Sequence, residues 1–239
     1  MNVIGIDSST SWVAVAAIAG GEPVREASIG PDDAGRPRHS ELLLGEVEQA
    51  VEALDGWDRV DRIAVGVGPG SFTGLRIGIA TARALAQARS LPLAGVGSLD
   101  ALAAGIAASP SGSGRHALAV VDARRSQAFA ALRGPDGDTI WPAFVAAPEE
   151  LAERIAGLAA DMTAGLKFAP LAAGDGSLRF RDQLEAAGAV VAAPGDPLHR
   201  VSARWICALG ERADAGAPEA VQPAYLRIPD AERWIDQHE

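Results

Sequence analysis

Val65-Gly66-Val67-Gly68-Pro69-Gly70-Ser71-Phe72-Thr73-Gly74-Leu75-Arg76-Ile77-Gly78-Ile79-Ala80-Thr81-Ala82-Arg83 is the stretch around which the chain is organised. With Ile63 and Ala64 before it, its start reads as a buried strand and its middle as a turn. Pro69 presets φ for the second position of a type II turn, and Gly70 would supply the positive φ of the third. Ser71 or Thr73 can cap the helix that follows. In that helix Gly74, Gly78, Ala82 and Ala86 recur every four residues, leaving one face almost bare backbone. Glycine inside a helix costs about 1 kcal/mol relative to alanine, so two on one stripe imply a very close neighbour. Another helix is the expected one.

A glycine-rich turn that opens a helix can also cradle an anion. The phosphate-loop pattern needs Gly-Lys-Ser/Thr, whereas Thr73-Gly74-Leu75 stands here. The dinucleotide pattern needs an acidic residue at a strand end about twenty positions on, and none is found. Close packing is the favoured reading.

Gly-Pro-Gly-Ser-Phe-Thr-Gly-Leu-Arg-Ile-Gly after an apolar strand resembles the signature of the bacterial TsaB (YeaZ) family. Three further segments resemble that family: His39-Ser40-Glu41-Leu42-Leu43, Val121-Asp122-Ala123-Arg124-Arg125 and Pro223-Ala224-Tyr225-Leu226-Arg227. The likeness covers nearly the whole chain and is weakest across 134–200.

With 239 residues, 48% of them hydrophobic, the chain can build one large or two small cores. No apolar run reaches the roughly 20 residues of a membrane span. The first residues enter a strand with no basic region, so no signal peptide is expected. The single cysteine, Cys207, lies in an apolar helical pattern and is expected to be a core thiol, which fits a reducing cytoplasm. The net charge of −10 is the opposite of the basic footprint that nucleic-acid binding uses.

Strands are predicted at 2–7, 12–18 and 23–29, and a helix from Ser40 to about Leu54. Leu43, Val47, Ala50, Val51 and Leu54 share one face of that helix. Residues 63–67 and 92–96 are strands, 73–88 and 98–108 helices. The order βββαβαβα is that of the ribonuclease H-like unit of actin and the sugar kinases. The pattern then restarts. Ala117–Asp122 echoes Val3–Asp7, and Leu171–Ser177 echoes Val65–Ser71. We read an internal duplication and an α/β fold of two ribonuclease H-like lobes, of the actin-like ATPase superfamily, with the second lobe reduced. The boundaries are 1–108, 115–200 and 201–239, the last a final helix (201–214) and an extended tail packing back on the lobes. Residues 230–239 are charged and expected to be mobile.

Actin-like enzymes bind ATP between their lobes, each lobe offering an Asp-x-Gly-Ser/Thr hairpin to the phosphates. Here the hairpins are Asp7-Ser8-Ser9-Thr10 and Asp122-Ala123-Arg124-Arg125, without the required glycine. We expect Asp7 and Asp122 to bond their own turns, making the cleft of Asp7, Asp122 and Arg124 vestigial. Arg124 and Arg125 are read as solvated, or as holding an anion or an acidic residue of a partner. Relatives of the family were long labelled glycopeptidases. Yet His39, His116, His199 and His238 show no metal-ligand spacing, and no Gly-x-Ser-x-Gly elbow is present. No metal, cofactor or catalytic residue is assigned.

The helices 40–54 and 73–88 carry more apolar surface than one buried face needs. Packed side by side they could meet a like pair from another molecule in a four-helix bundle. Leu43, Val47, Leu75, Gly74, Gly78 and Ala82 are the expected partner-binding residues. The resemblance implies a non-catalytic subunit that supports TsaD, the larger paralogue that transfers threonylcarbamoyl to tRNA adenosine, together with the ATPase TsaE. A synthetase, TsaC, supplies the threonylcarbamoyl adenylate. It also implies indirect contact with tRNA and no membrane; alone, the same helix pair could meet its own copy in a homodimer. The competing reading is an ATP-dependent phosphotransferase of the actin-like fold.

Overall fold

The computed structural model describes residues 1–161 and 168–227. The expected mobility of 230–239 falls outside them. Strands β1 (Asn2–Asp7), β2 (Val13–Ala19) and β3 (Glu22–Ile29) form an antiparallel meander. There follow α1 (His39–Glu52), β4 (Arg62–Gly68), α2 (Phe72–Arg89), β5 (Leu93–Gly97) and α3 (Ser98–Ala108). β4 joins β1 in parallel, and β5 joins β4 in parallel. β1 is an unbroken apolar run because both its faces are covered. β3, at the edge, is mostly exposed and carries Glu22, Arg25 and Glu26, charges that discourage further strand pairing.

The second half repeats this plan with β6 (Ala117–Arg124), β7 (Gln127–Arg133), β8 (Thr139–Ala146), α4 (Pro148–Asp161), β9 (Leu171–Ala173), α5 (Asp175–Arg179), α6 (Arg181–Ala186) and β10 (Val190–Val191). Then come α7 (Ala203–Arg212) and β11 (Ala215–Gly216). The first sheet runs β11-β5-β4-β1-β2-β3 and the second β10-β9-β6-β7-β8. Apart from β11 the two orders are the same, so the duplication read from 3–7 and 117–122 is a duplication of topology. Residues 1–108 supply five strands of the first sheet and 115–200 all five of the second. The segment from 201 returns α7 and β11 to the first.

The last helix of each half crosses over. α3 follows β5 but lies against β6, β7 and β9 of the second sheet, and α7 follows the second sheet but packs on β1, β2, β4 and β5 of the first. α3 and α7 also touch each other. One core therefore spans both sheets, with Val3, Ala16, Ala64, Leu102, Ile106, Val121, Phe129, Leu171, Ile206 and Cys207 in contact. A second core lies between the first sheet and α1 and α2, and a third beneath α4 and α6 on the second sheet.

Two features of the organising stretch differ from expectation. The positive φ is at Gly68 (102°), which precedes Pro69 through a cis peptide, and not at Gly70. Gly70 is needed instead for space, since a Cβ there would fall on the carbonyl oxygen of Ser9. The small-residue stripe also faces something other than a helix. A Cβ at Gly74 would overlap the Ser8 carbonyl oxygen, and one at Gly78 the Ser8 hydroxyl. The Ser8 hydroxyl donates to the Gly74 carbonyl at 2.8 Å. The helix is pressed against the β1–β2 turn, and a backbone carbonyl needs the same clearance a helix would.

Gly74→Ala is accordingly expected to lower stability by about 1–3 kcal/mol, the usual cost of overpacking. Gly45→Ala, on the open side of α1 with nothing within 4 Å of the new Cβ, should raise it by up to about 1 kcal/mol. Urea unfolding of both variants checks the pair.

Candidate functional site

A cavity of about 510 Å³ opens between the lobes. One wall is the β1–β2 turn (Ser9, Thr10, Ser11) and the start of α2 (Pro69 to Thr73). The other is the β6–β7 hairpin (Val121 to Arg125) with Asp175, and Ala224 to Arg227 line it as well. This is where the duplicated hairpins face each other.

Asp7 ends β1, and its carboxylate is turned inward. Oδ1 accepts from the Ser9 N–H at 2.9 Å and the Ser9 hydroxyl at 2.7 Å, and Oδ2 from the Ser98 hydroxyl at 2.7 Å. Only 1% of the residue is exposed. Burial pushes its carboxyl above the ordinary value, against the pull of these hydrogen bonds. Asp122 accepts from the Arg124 N–H at 2.8 Å and pairs with Arg179 at 2.8 Å and with Arg124 at 3.6 Å. Each aspartate thus holds the turn two residues beyond it. Asp175, under the second hairpin, accepts from the Asp122 N–H at 2.9 Å, and burial raises its carboxyl too.

The first wall leaves little for an anion. The Ser71 N–H donates to the Ser9 carbonyl at 2.6 Å, and the Ser71 hydroxyl accepts from the Gly74 N–H at 3.3 Å. Two N–H groups at the start of α2 already have acceptors inside the chain. In the second hairpin Arg124, Arg125 and Ser126 all have positive φ (63°, 51° and 55°), an expensive run for residues with a Cβ.

The six expected partner-binding residues lie in the chain's own core. Leu43, Val47, Leu75, Gly74, Gly78 and Ala82 are buried, the side chains against Ile4, Ile6, Val15 and Val65. Placing them on a docking surface is therefore corrected: α1 and α2 do pack against each other, but this stripe faces the first sheet and the Ser8 turn. Among the apolar side chains that the two helices show to solvent are Leu44, 57% exposed, and Phe72, 39% exposed, with Ala80 and Ala84. Leu44 adjoins Leu43 in sequence, and a run of three leucines does not say which one faces out. The outward phase was available only from the charged residues around it, Glu41 and Glu48.

His39 is buried at the start of α1, with Nε2 3.2 Å from the Trp12 carbonyl. His199 is buried among the carbonyls of Gly174, Ala192 and Ala193, and His116 stacks edge-on with Phe168. His238 lies outside the described residues. Among the described residues no three His, Cys, Asp or Glu side chains gather as metal ligands. No described helix is long and apolar enough to cross a membrane. Cys207 is buried between β1 and β2, its thiol pushed far up by burial.

Two sheets of one topology, facing across a cleft with exchanged last helices, define a protein of the actin-like ATPase fold. The family model described as TsaD, tRNA N6-adenosine threonylcarbamoyltransferase, matches residues 26–180. The tRNA threonylcarbamoyladenosine biosynthesis protein TsaB of Escherichia coli is 34% identical over 143 residues, 59% of this chain and 58% of that protein. An uncharacterized protein of Mycobacterium tuberculosis is 32% identical over 81% of this chain and 77% of its own length. The solved structure of YeaZ from Pseudomonas aeruginosa matches with a TM-score of 0.71 at 24% identity, covering 94% of this chain and all of that one. The chain belongs to the TsaB (YeaZ) family.

The buried Asp7 has a measurable consequence. A carboxyl raised in the folded state adds stability at pH below its unfolded value, and loses that contribution as pH rises through the folded value. Asp7→Asn removes the titration, so its stability relative to wild type should improve between pH 4 and pH 7. Urea unfolding at the two pH values reads the change; a gap that is constant or widens with pH would contradict it.

Proposed function

We propose that this chain is a non-catalytic scaffold subunit of the complex that forms N6-threonylcarbamoyladenosine in tRNA, holding a TsaD-like transferase in its working form. The observation that carries the reading is the state of the cleft. Asp7 is turned inward and closed over by Ser9 and Ser98, and the Ser9 carbonyl caps the start of α2. The second hairpin presents arginines where a nucleotide-binding hairpin needs bare backbone. A chain that spends these groups on its own turns is suited to binding a partner rather than to closing on ATP.

The partner would meet the outward sides of α1 and α2, around Leu44 and Phe72. In this reading the core stripe sets the spacing of the two helices and the exposed residues make the contact. A TsaE-like ATPase would join the pair, and tRNA would be held by the partner, as the charge of −10 favours. The complex would work in the cytoplasm. Without its partner the same face could pair with its own copy about a two-fold axis.

The test is co-expression with the TsaD-like paralogue of the same genome, followed by light scattering of the eluted species. A one-to-one complex is expected, with no ATP turnover by this chain alone. Leu44→Glu should weaken the complex at least about tenfold, equivalent to about 1.4 kcal/mol, with the melting temperature of the lone chain unchanged. Val24→Glu, on the exposed edge strand β3, should leave the complex intact. Equal affinity for wild type and Leu44→Glu would move the interface elsewhere. Tight ATP binding by the lone chain without any complex would sink the scaffold reading.

A further inference from the structure

The chain after β11 passes from the first lobe to the second, and its residues 224–227 line the cavity. It first runs along α2, where the Arg83 guanidinium donates to the carbonyls of Val221 and of Glu219, the latter at 3.4 Å. The Ala224 N–H then donates to the Val67 carbonyl near the end of β4 at 2.7 Å. Tyr225 lies on Phe72 with ring centroids 5.3 Å apart, and its hydroxyl accepts from Arg76 Nε at 3.3 Å. The Arg76 guanidinium carbon sits 3.8 Å from the centroid of the Phe72 ring. All of these anchors are on the first lobe. The next contact is on the second, where the Arg227 guanidinium donates to the Ala123 carbonyl at 2.9 Å and to the Gln127 side-chain oxygen. Ala123 and Gln127 flank the hairpin whose residues 124–126 are all left-handed.

We propose that residues 221–227 are a strap that fixes the angle between the two lobes and keeps the cleft at one width. The lobes are joined by α3 and α7, which share a single core. Rotation of one lobe on the other about that seam is opposed by any contact that bridges the two walls of the cleft. The strap is such a bridge, anchored on the first lobe at Val67, Phe72, Arg76 and Arg83 and on the second at Ala123 and Gln127. Its chemistry suits the task. Pro223 limits the freedom of its backbone, and a bidentate guanidinium is more directional than a single ammonium. Aromatic contact adds about 0.5–1.5 kcal/mol beyond burial. Arg227 also braces a turn that is costly to hold, so releasing the strap would loosen the second wall of the cleft as well as its width. The proposal concerns the lone chain and holds whether or not the chain meets the transferase partner described above.

The test is an inter-lobe distance measured by paired spin labels on Glu48→Cys in α1 and Asp136→Cys in the β7–β8 turn, both exposed. Cys207 is fully buried and does not compete for label. The strap-intact protein should give one narrow distance distribution. Tyr225→Ala with Arg227→Ala should broaden it and shift it outward by more than its original width, while circular dichroism shows an unchanged fold. Arg227→Lys, whose single ammonium can serve fewer of the acceptors, should broaden it less and covers the case in which the double variant folds poorly. Distributions for the two strap variants that superimpose on the intact protein would overturn the proposal. Because no partner is present, this result is independent of whether the complex forms.

Discussion

The rest of the structure depends on the exchange of last helices, α3 and α7, between the lobes. Each sheet leaves its own half of the chain with an uncovered face, and the helix that covers it comes from the other half. α3 carries Leu99, Leu102 and Ile106 into the space between the sheets, and α7 carries Ile206 and Cys207 there from the opposite end of the chain. The approach of α7 is close enough that Gly5 has no room for a Cβ against the Ala203 carbonyl and Cys207. Neither lobe could bury its inner face alone. The hydrophobic term, about 25 cal/mol per Å² of apolar surface, therefore ties the lobes into one folding unit even though their strands are cleanly separated along the sequence.

This explains what was legible in the sequence and what was not. The strand at 63–67, the helix at 73–88 and the duplication were legible because they are local. An apolar run, a turn signal and a cap each lie within a few residues. Their repetition in Val3–Asp7 and Ala117–Asp122 exposed the second lobe despite its shorter elements. The destinations of α3 and α7 were not legible. Periodicity identifies an apolar face but says nothing about which sheet receives it. The two-residue strands β10 and β11 were missed for a related reason: each exists only because a preformed edge is available to it.

The candidate site divides along the same line. That Asp7 and Asp122 would bond their own turns followed from side-chain reach, and the observed N–H partners are two residues on in both cases. That Gly74 and Gly78 signal close approach followed from the cost of glycine in a helix. What approaches them depends on tertiary structure, and the answer is the Ser8 turn. The same shift of one layer moved the interface argument. Leu43 and Val47 are apolar because they face β-strands, whereas Leu44, one position on, is apolar while facing water. An exposed leucine is unremarkable singly.

The β1–β2 turn connects these observations. Ser8 and Ser9 use side chains and carbonyls to seat Asp7, cap α2 at Ser71 and define the clearance along Gly74 and Gly78. In a nucleotide-binding relative of this fold the equivalent turn must keep its backbone free to approach a phosphate. Here it is built into the packing between β1 and α2, the helix that also carries Phe72 to the surface. A substitution that reopened the turn for a ligand would remove the stop against which α2 is seated. The cleft wall and α2 are thus coupled through one segment, residues 8–12 between β1 and β2, and a turn that seats a helix in this way is not free to receive a phosphate.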